Sequence, residues 1–204
     1  MAKKITLLLL VLALVGLLIA ARILYKDLGK DLAPDQLAVQ TQPPASETAP
    51  GVPAESTVAP EATDPQPALA PDFTVYDAEG NPHRLSDFFG KPIVLNFWAS
   101  WCGPCKMEMP DFQEKYLALG QDVQFLMINL TDGQRETVEV ASKFIESQGY
   151  TFPVFYDSDS EAATVYQVYS IPTSYFLDAE GRLIARATGA IDAATLQKGI
   201  DMIS

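Results

Sequence analysis

Hydrophobic and polar positions divide this chain into three unlike stretches. Residues 5–21 are an unbroken apolar run behind Lys3 and Lys4. At 1.5 Å per residue the run spans roughly 25 Å, or about 30 Å if it continues to Leu24 with Arg22 snorkelling. It exceeds the usual apolar region of a cleaved signal, and no clean Ala-X-Ala site closes it, so residues 1–30 read as a membrane anchor with its flank; a cleaved signal is the alternative. Residues 31–70 recur in Pro, Ala, Thr, Ser, Gln and Glu, and no Lys or Arg occurs from Asp31 to His83. Such a composition cannot bury enough apolar surface to offset chain entropy, so this acidic stretch reads as a disordered linker, about 35 Å across as a flexible coil.

From Pro71 to Ser204 the pattern becomes that of a folded domain. Phe73–Tyr76 and Pro82–Leu85 flank Ala78-Glu79-Gly80-Asn81 and predict a β-hairpin. Ser86–Gly90 predicts a short turn-like helix. A central strand follows at 92–99, then a long helix at 104–119, which Pro110 should kink by removing the bond to the Lys106 carbonyl. Asp122–Leu130 predicts a buried strand. Glu136–Gln148 has helical spacing at Val138, Ala141, Phe144 and Ile145. A short strand at Phe152–Tyr156 and a short helix at Glu161–Val168 come next. Thr173–Asp178 and Arg182–Thr188 predict a second hairpin, and Ala193–Ile203 a last helix. Strands alternating with helices and closing on a hairpin give an α/β domain, a mixed sheet with helices on both faces.

Charge narrows the function. The formal net charge of −12 argues against nucleic acid, since nothing in the chain makes a basic groove. The single histidine, His83, lies in the first hairpin, is expected at the surface, and argues against a His-based metal site. Neither a metal nor another cofactor is called for. The only two cysteines, Cys102 and Cys105, cannot be a multi-disulfide scaffold.

Those cysteines carry the chemistry. Trp101-Cys102-Gly103-Pro104-Cys105-Lys106 sits where the apolar strand hands over to the long helix, the expected setting of a dithiol redox site. Unpaired amides and the positive end of the dipole favour a thiolate there, so Cys102 should ionise below the ordinary thiol range. Pro104 suits the first helical turn. Cys102 then attacks and Cys105, one turn in, resolves the mixed disulfide. A purely structural disulfide would close too small a loop to stabilise much, and zinc would need two more ligands. Trp101 should lie over the site as an apolar cover, whereas Trp98 has the opposite strand parity and belongs to the core. Glu108 lies three residues after Cys105, on the same helical face, where it could move protons to and from Cys105.

Phe97-Trp98-Ala99-Ser100-Trp101-Cys102-Gly103-Pro104-Cys105 resembles the thioredoxin superfamily signature, and the stretch from Pro71 through Glu108 resembles its membrane-anchored TlpA/ResA-like branch of thiol-disulfide oxidoreductases. The resemblance covers roughly residues 70–204 and implies a thioredoxin fold with an N-terminal hairpin and a central insertion at about 130–157. It implies a cis bond between Ile171 and Pro172 facing Cys102, leaving Ile171 backbone groups free to pair with an extended substrate. It also implies Asn96 in place of the acid usual before the motif, with Glu108 supplying the carboxylate. Gly103-Pro104 resembles reducing thioredoxins rather than strong oxidants. The implied location is the outer side of a bacterial cell membrane. The implied partners are disulfides of exported proteins, such as apocytochrome c, and a membrane electron donor of the CcdA/DsbD type. Two rivals share the fold. Pro71-Asp72-Phe73 also resembles the opening of a peroxiredoxin-like thiol peroxidase, but Ala99 stands where that family needs Thr or Ser. A copper-binding chaperone module would want a wider cysteine spacing and a histidine across the site.

Overall fold

The computed structural model of the chain describes residues 37–39 and 67–204. The expected anchor at 1–30 and the rest of the linker lie outside the described residues. Among the described residues no helix is long and apolar enough to cross a membrane.

Eight strands form one sheet: β1 (Leu37–Val39), β2 (Thr74–Tyr76), β3 (Pro82–Arg84), β4 (Ile93–Trp98), β5 (Gln124–Asn129), β6 (Val154–Tyr156), β7 (Thr173–Leu177) and β8 (Leu183–Thr188). Their order across the sheet is β1-β8-β7-β4-β5-β6-β2-β3. β4, β5 and β6 run parallel, and the strands outside them are antiparallel to their neighbours. Among the described residues, four helices, α1 (Gly103–Leu119), α2 (Val138–Gln148), α3 (Glu161–Val165) and α4 (Ala193–Asp201), and a 3-10 turn at Leu85–Phe88 accompany the sheet.

The alternation of β4 decides which helix packs where. Every residue of Ile93–Trp98 is buried. Val94 and Trp98 join a cluster with Met109 and Phe112 of α1, Ala141 of α2, and Leu196 and Ile200 of α4. Ile93, Leu95 and Phe97 face the other way, into a cluster with Leu85 of the 3-10 turn and Ala162 of α3. Both faces of the central strand are therefore dry, which is why it reads as a continuous apolar run. Asn96 shares the parity of Val94 and Trp98, so its amide points at the α1 side. Trp98 is core, as its parity predicts.

Most elements stand within a few residues of their predicted bounds. α1 runs to Leu119 with Pro110 inside it. The helix expected from Glu136 begins after Thr137, whose side chain accepts the Val140 N–H, and it ends at Gly149 in the left-handed region (φ 69°). The helix expected to reach Val168 stops at Val165, with Gln167 at φ 50°. His83 is half-buried rather than fully exposed: its ring meets Phe155 edge-on at 5.3 Å, and Nε2 lies 3.2 Å from Asp77. A larger departure concerns the linker. Leu37–Val39 forms an edge strand on β8, in register Leu37↔Ala187 to Val39↔Ala185, with Leu37 only 8% exposed. The Ala70 N–H donates to the Gly181 carbonyl and the Leu183 N–H to Ala68, so the folded region begins before Pro71.

Candidate active site

The dithiol site forms where β4 ends and α1 begins. The Cys102 N–H donates to the Ala99 carbonyl (3.1 Å), a tight turn that delivers Cys102 to the helix as its N-cap. Its backbone is extended, and its Sγ accepts the Cys105 N–H at 3.2 Å. A side chain accepting from the third residue on is the N-cap arrangement, here filled by sulfur. The same amide would stabilise a thiolate. Cys102 and Cys105 are disulfide-bonded, with Cα atoms 5.3 Å apart.

Burial separates the two sulfurs. Cys105 is wholly buried, whereas Cys102 is 4% exposed. The approach for a bulky substrate disulfide is therefore on the Cys102 side. Once a mixed disulfide has formed there, Cys105 can reach it from within the protein. The outer side of the motif is open: a Cβ added at Gly103 would meet nothing within 4 Å.

Opposite the motif lies the Ile171-Pro172 bond, which is cis. The Ile171 carbonyl oxygen is 3.7 Å from Cys102 Sγ. Trp101, Leu130, Val168, Tyr169, Ser170 and Ile171 line a groove of about 300 Å³ beside it. Trp101 is 43% exposed and Tyr169 88% exposed, an aromatic margin next to the reactive sulfur.

Glu108 is not a surface carboxylate. It is 2% exposed and faces the sheet from α1. Oε1 accepts from Asn96 Nδ2 at 2.8 Å, and Oε2 accepts from the Ile191 N–H at 2.9 Å. Asn96 Nδ2 also donates to Ser174 Oγ at 3.0 Å, while Asn96 Oδ1 is buried without a partner among the described residues. Removal from water outweighs the two hydrogen bonds and lifts the Glu108 pKa from 4.5 to about 7, with the Asp111 charge pushing the same way. The carboxyl thus exchanges its proton near neutrality, the range a proton carrier for thiol chemistry needs.

A second buried carboxylate, Glu136, escaped sequence reasoning. It lies in the loop after β5, and its oxygens accept from the Ser100 N–H (2.7 Å), Ser100 Oγ (2.6 Å) and Asn129 Nδ2 (2.7 Å). It fixes Ser100, two residues before Cys102. Nothing in Thr131-Asp-Gly-Gln-Arg-Glu-Thr137 distinguishes it from a solvated turn. The next residue back, Arg135, places its guanidinium 4.3 Å from the centre of the Trp101 ring. Among the described residues no cluster of His, Cys, Asp and Glu could hold a metal ion.

A thioredoxin-type sheet presenting a Cys-X-X-Cys pair at a helix N-terminus, across from a cis-proline, defines a dithiol oxidoreductase. The chain belongs to the AhpC/TSA family, whose signature matches residues 68–186, and within it to the ResA-like thiol-disulfide oxidoreductases. It is 36% identical over 137 residues to the thiol-disulfide oxidoreductase ResA of Geobacillus kaustophilus, covering 67% of this chain and 76% of that one. The crystal structure of StoA from Bacillus subtilis superposes with a TM-score of 0.56 at 32% identity, over 65% of this chain and 98% of StoA. A putative thiol:disulfide interchange protein DsbE from Chlorobium tepidum does so with a TM-score of 0.56 at 32% identity, over 66% and 94%. The enzyme is a thiol-disulfide oxidoreductase. The peroxidase reading fails locally: the position three before Cys102 is Ala99, fully buried and without a hydroxyl to activate a peroxide.

Proposed function

We propose that this protein reduces disulfides of exported proteins on the outer side of a bacterial cell membrane. The observation that carries the reading is the place of Cys102 at the start of α1, its Sγ 3.7 Å from the carbonyl of Ile171, which lines the open groove, with Cys105 wholly buried behind it. Cys102 thiolate attacks the substrate disulfide; one substrate sulfur leaves as thiolate and the other is held in a mixed disulfide. Cys105 then displaces it, so the substrate gains two electrons and the enzyme ends as its Cys102–Cys105 disulfide. Glu108 takes the proton from Cys105 as it becomes the attacking thiolate, directly or through water. Trp101, Ile171 and Pro172 form the substrate side of the site, where the Ile171 backbone pairs with an extended segment.

Residues 1–30 serve as the anchor and the stretch from 31 as the tether of a domain whose fold begins by Ala68, with Leu37–Val39 of the tether laid on the sheet edge. Apocytochrome c is the kind of substrate such an enzyme prepares, and a membrane protein of the CcdA/DsbD type is the donor that re-reduces it. The Gly-Pro pair between the cysteines favours the reducing direction. The full-length chain carrying Cys105→Ser, expressed in its host, should accumulate exported proteins disulfide-linked to Cys102. Capture of none, or hydrogen peroxide turnover exceeding insulin-disulfide reduction in the unmodified protein, would refute the reading. A redox titration should place the couple well below the strongly oxidising end, about −120 mV.

A further inference from the structure

Arg135 and Glu136 are consecutive residues of the loop between β5 and α2, and they grip consecutive residues of the loop that carries the nucleophile. Glu136 is buried and holds Ser100. Arg135 is exposed, and its guanidinium carbon lies 4.3 Å from the centre of the Trp101 ring, a cation–π contact. A guanidinium has five N–H donors, and a contact to an aromatic face uses its charge rather than a hydrogen-bond acceptor. Among the described residues, Arg135 forms no ion pair within 4.0 Å, whereas Arg84, Lys143 and Arg182 each pair with a carboxylate. The nearby carboxylate of Asp132 accepts the Gln134 and Glu136 N–H groups through Oδ1 at 2.8 Å each; the Arg135 charge helps hold its pKa low, but the two side chains form no ion pair within 4.0 Å. Trp101 also lines the groove that runs to Tyr169 and Ile171, beside Cys102. A cation thus lies over Trp101, a residue of the groove wall, in a chain whose net charge is −12. The long-range field of such a chain repels acidic segments, so any preference for them must arise locally.

We propose that Arg135 is a specificity-determining residue, selecting disulfide-bearing segments that carry an acidic side chain beside the attacked cysteine. The in-plane N–H groups pair with that carboxylate while Trp101 packs on the segment. Arg135 takes no part in electron transfer; the thiol exchange is the one described above, and the inference rests on that reading. Electrons reach the segment from Cys102 and Cys105 alone.

The test uses the full-length chain, reduced with dithiothreitol and desalted, in single-turnover reduction of three cyclic disulfide peptides. The peptides are identical except for Glu, Gln or Lys next to the cysteine that is attacked. The unmodified protein should prefer Glu over Gln by about two- to fivefold in second-order rate constant at low salt, as for one exposed ion pair, with Lys the slowest. The preference should fade toward 1 M salt. Arg135→Gln should abolish it, and Arg135→Glu should invert the order. The same order and ratios in all three proteins would overturn the proposal, as would a preference that vanishes in Lys106→Gln but survives in Arg135→Gln. Turnover without charge selectivity removes Arg135 alone; no turnover of any peptide by the unmodified protein removes the oxidoreductase reading and this inference with it.

Discussion

Glu108 and Glu136 flank the same Cys-X-X-Cys motif, both buried, and the fold treats them differently. Glu136 receives three hydrogen bonds, two of them from Ser100, and ties the nucleophile loop to the end of β5 through Asn129. Glu108 receives two, from Asn96 and the Ile191 backbone, and its pKa is lifted to about 7. A carboxylate surrounded by donors serves as a brace. One with fewer donors in a dry site exchanges its proton near neutral pH. The difference teaches that burial alone does not decide what a carboxylate does; the number and origin of its donors do.

The largest expected effect comes from removing the brace. Glu136→Ala leaves the buried Asn129 amide and the half-buried Ser100 N–H without their acceptor, at about 1–3 kcal/mol for a fully buried group and less for the other. Urea denaturation should show a loss of about 3 kcal/mol; a loss below about 1 kcal/mol, the size of one ordinary hydrogen bond, would erase the contrast with Glu108.

Glu108 should show the opposite behaviour. Folding raises its pKa from 4.5 to about 7, so the protonated native form is favoured. Its contribution to stability is present in full below about pH 4.5 and is lost as pH rises through about 7. The difference amounts to about 3 kcal/mol. Glu108→Gln should flatten that slope and leave the domain more stable than the unmodified protein at pH 8. Parallel stability-versus-pH curves for the two proteins would contradict this.

Asn96→Ala sharpens the contrast on a smaller scale. It deletes one of the hydrogen bonds that lower the Glu108 pKa, so the midpoint of the pH-dependent loss should move upward, with about 1 kcal/mol of stability lost at pH 6. A midpoint that stays in place would mean the Asn96 hydrogen bond does not tune Glu108.

The motif was legible because its chemistry is written in neighbouring residues: two cysteines, Pro104 in the first turn, Glu108 on the Cys105 face, and Ile171-Pro172 opening a strand. The buried strands were legible because β4 and β5 are largely apolar. Leu37–Val39 was not, because three residues among prolines become a strand only when the edge of β8 supplies their partners. Glu136 was not, because its burial is imposed by Ser100, 36 residues away, and its place before Thr137 looks like an ordinary helix start. Arg135 was hidden for the same reason: its meaning depends on Trp101 lying beneath it.

The central claim is that Cys102 and Cys105 trade electrons with outside disulfides while Glu108 carries the proton. The most direct measurement is the single-turnover rate of insulin-disulfide reduction from pH 5 to 9, in the unmodified protein and in Glu108→Gln. An inflection near pH 7 is expected in the first, additional to the titration of the Cys102 thiol, and its absence, with a slower rate, in the second. Two superimposable profiles would contradict the claim.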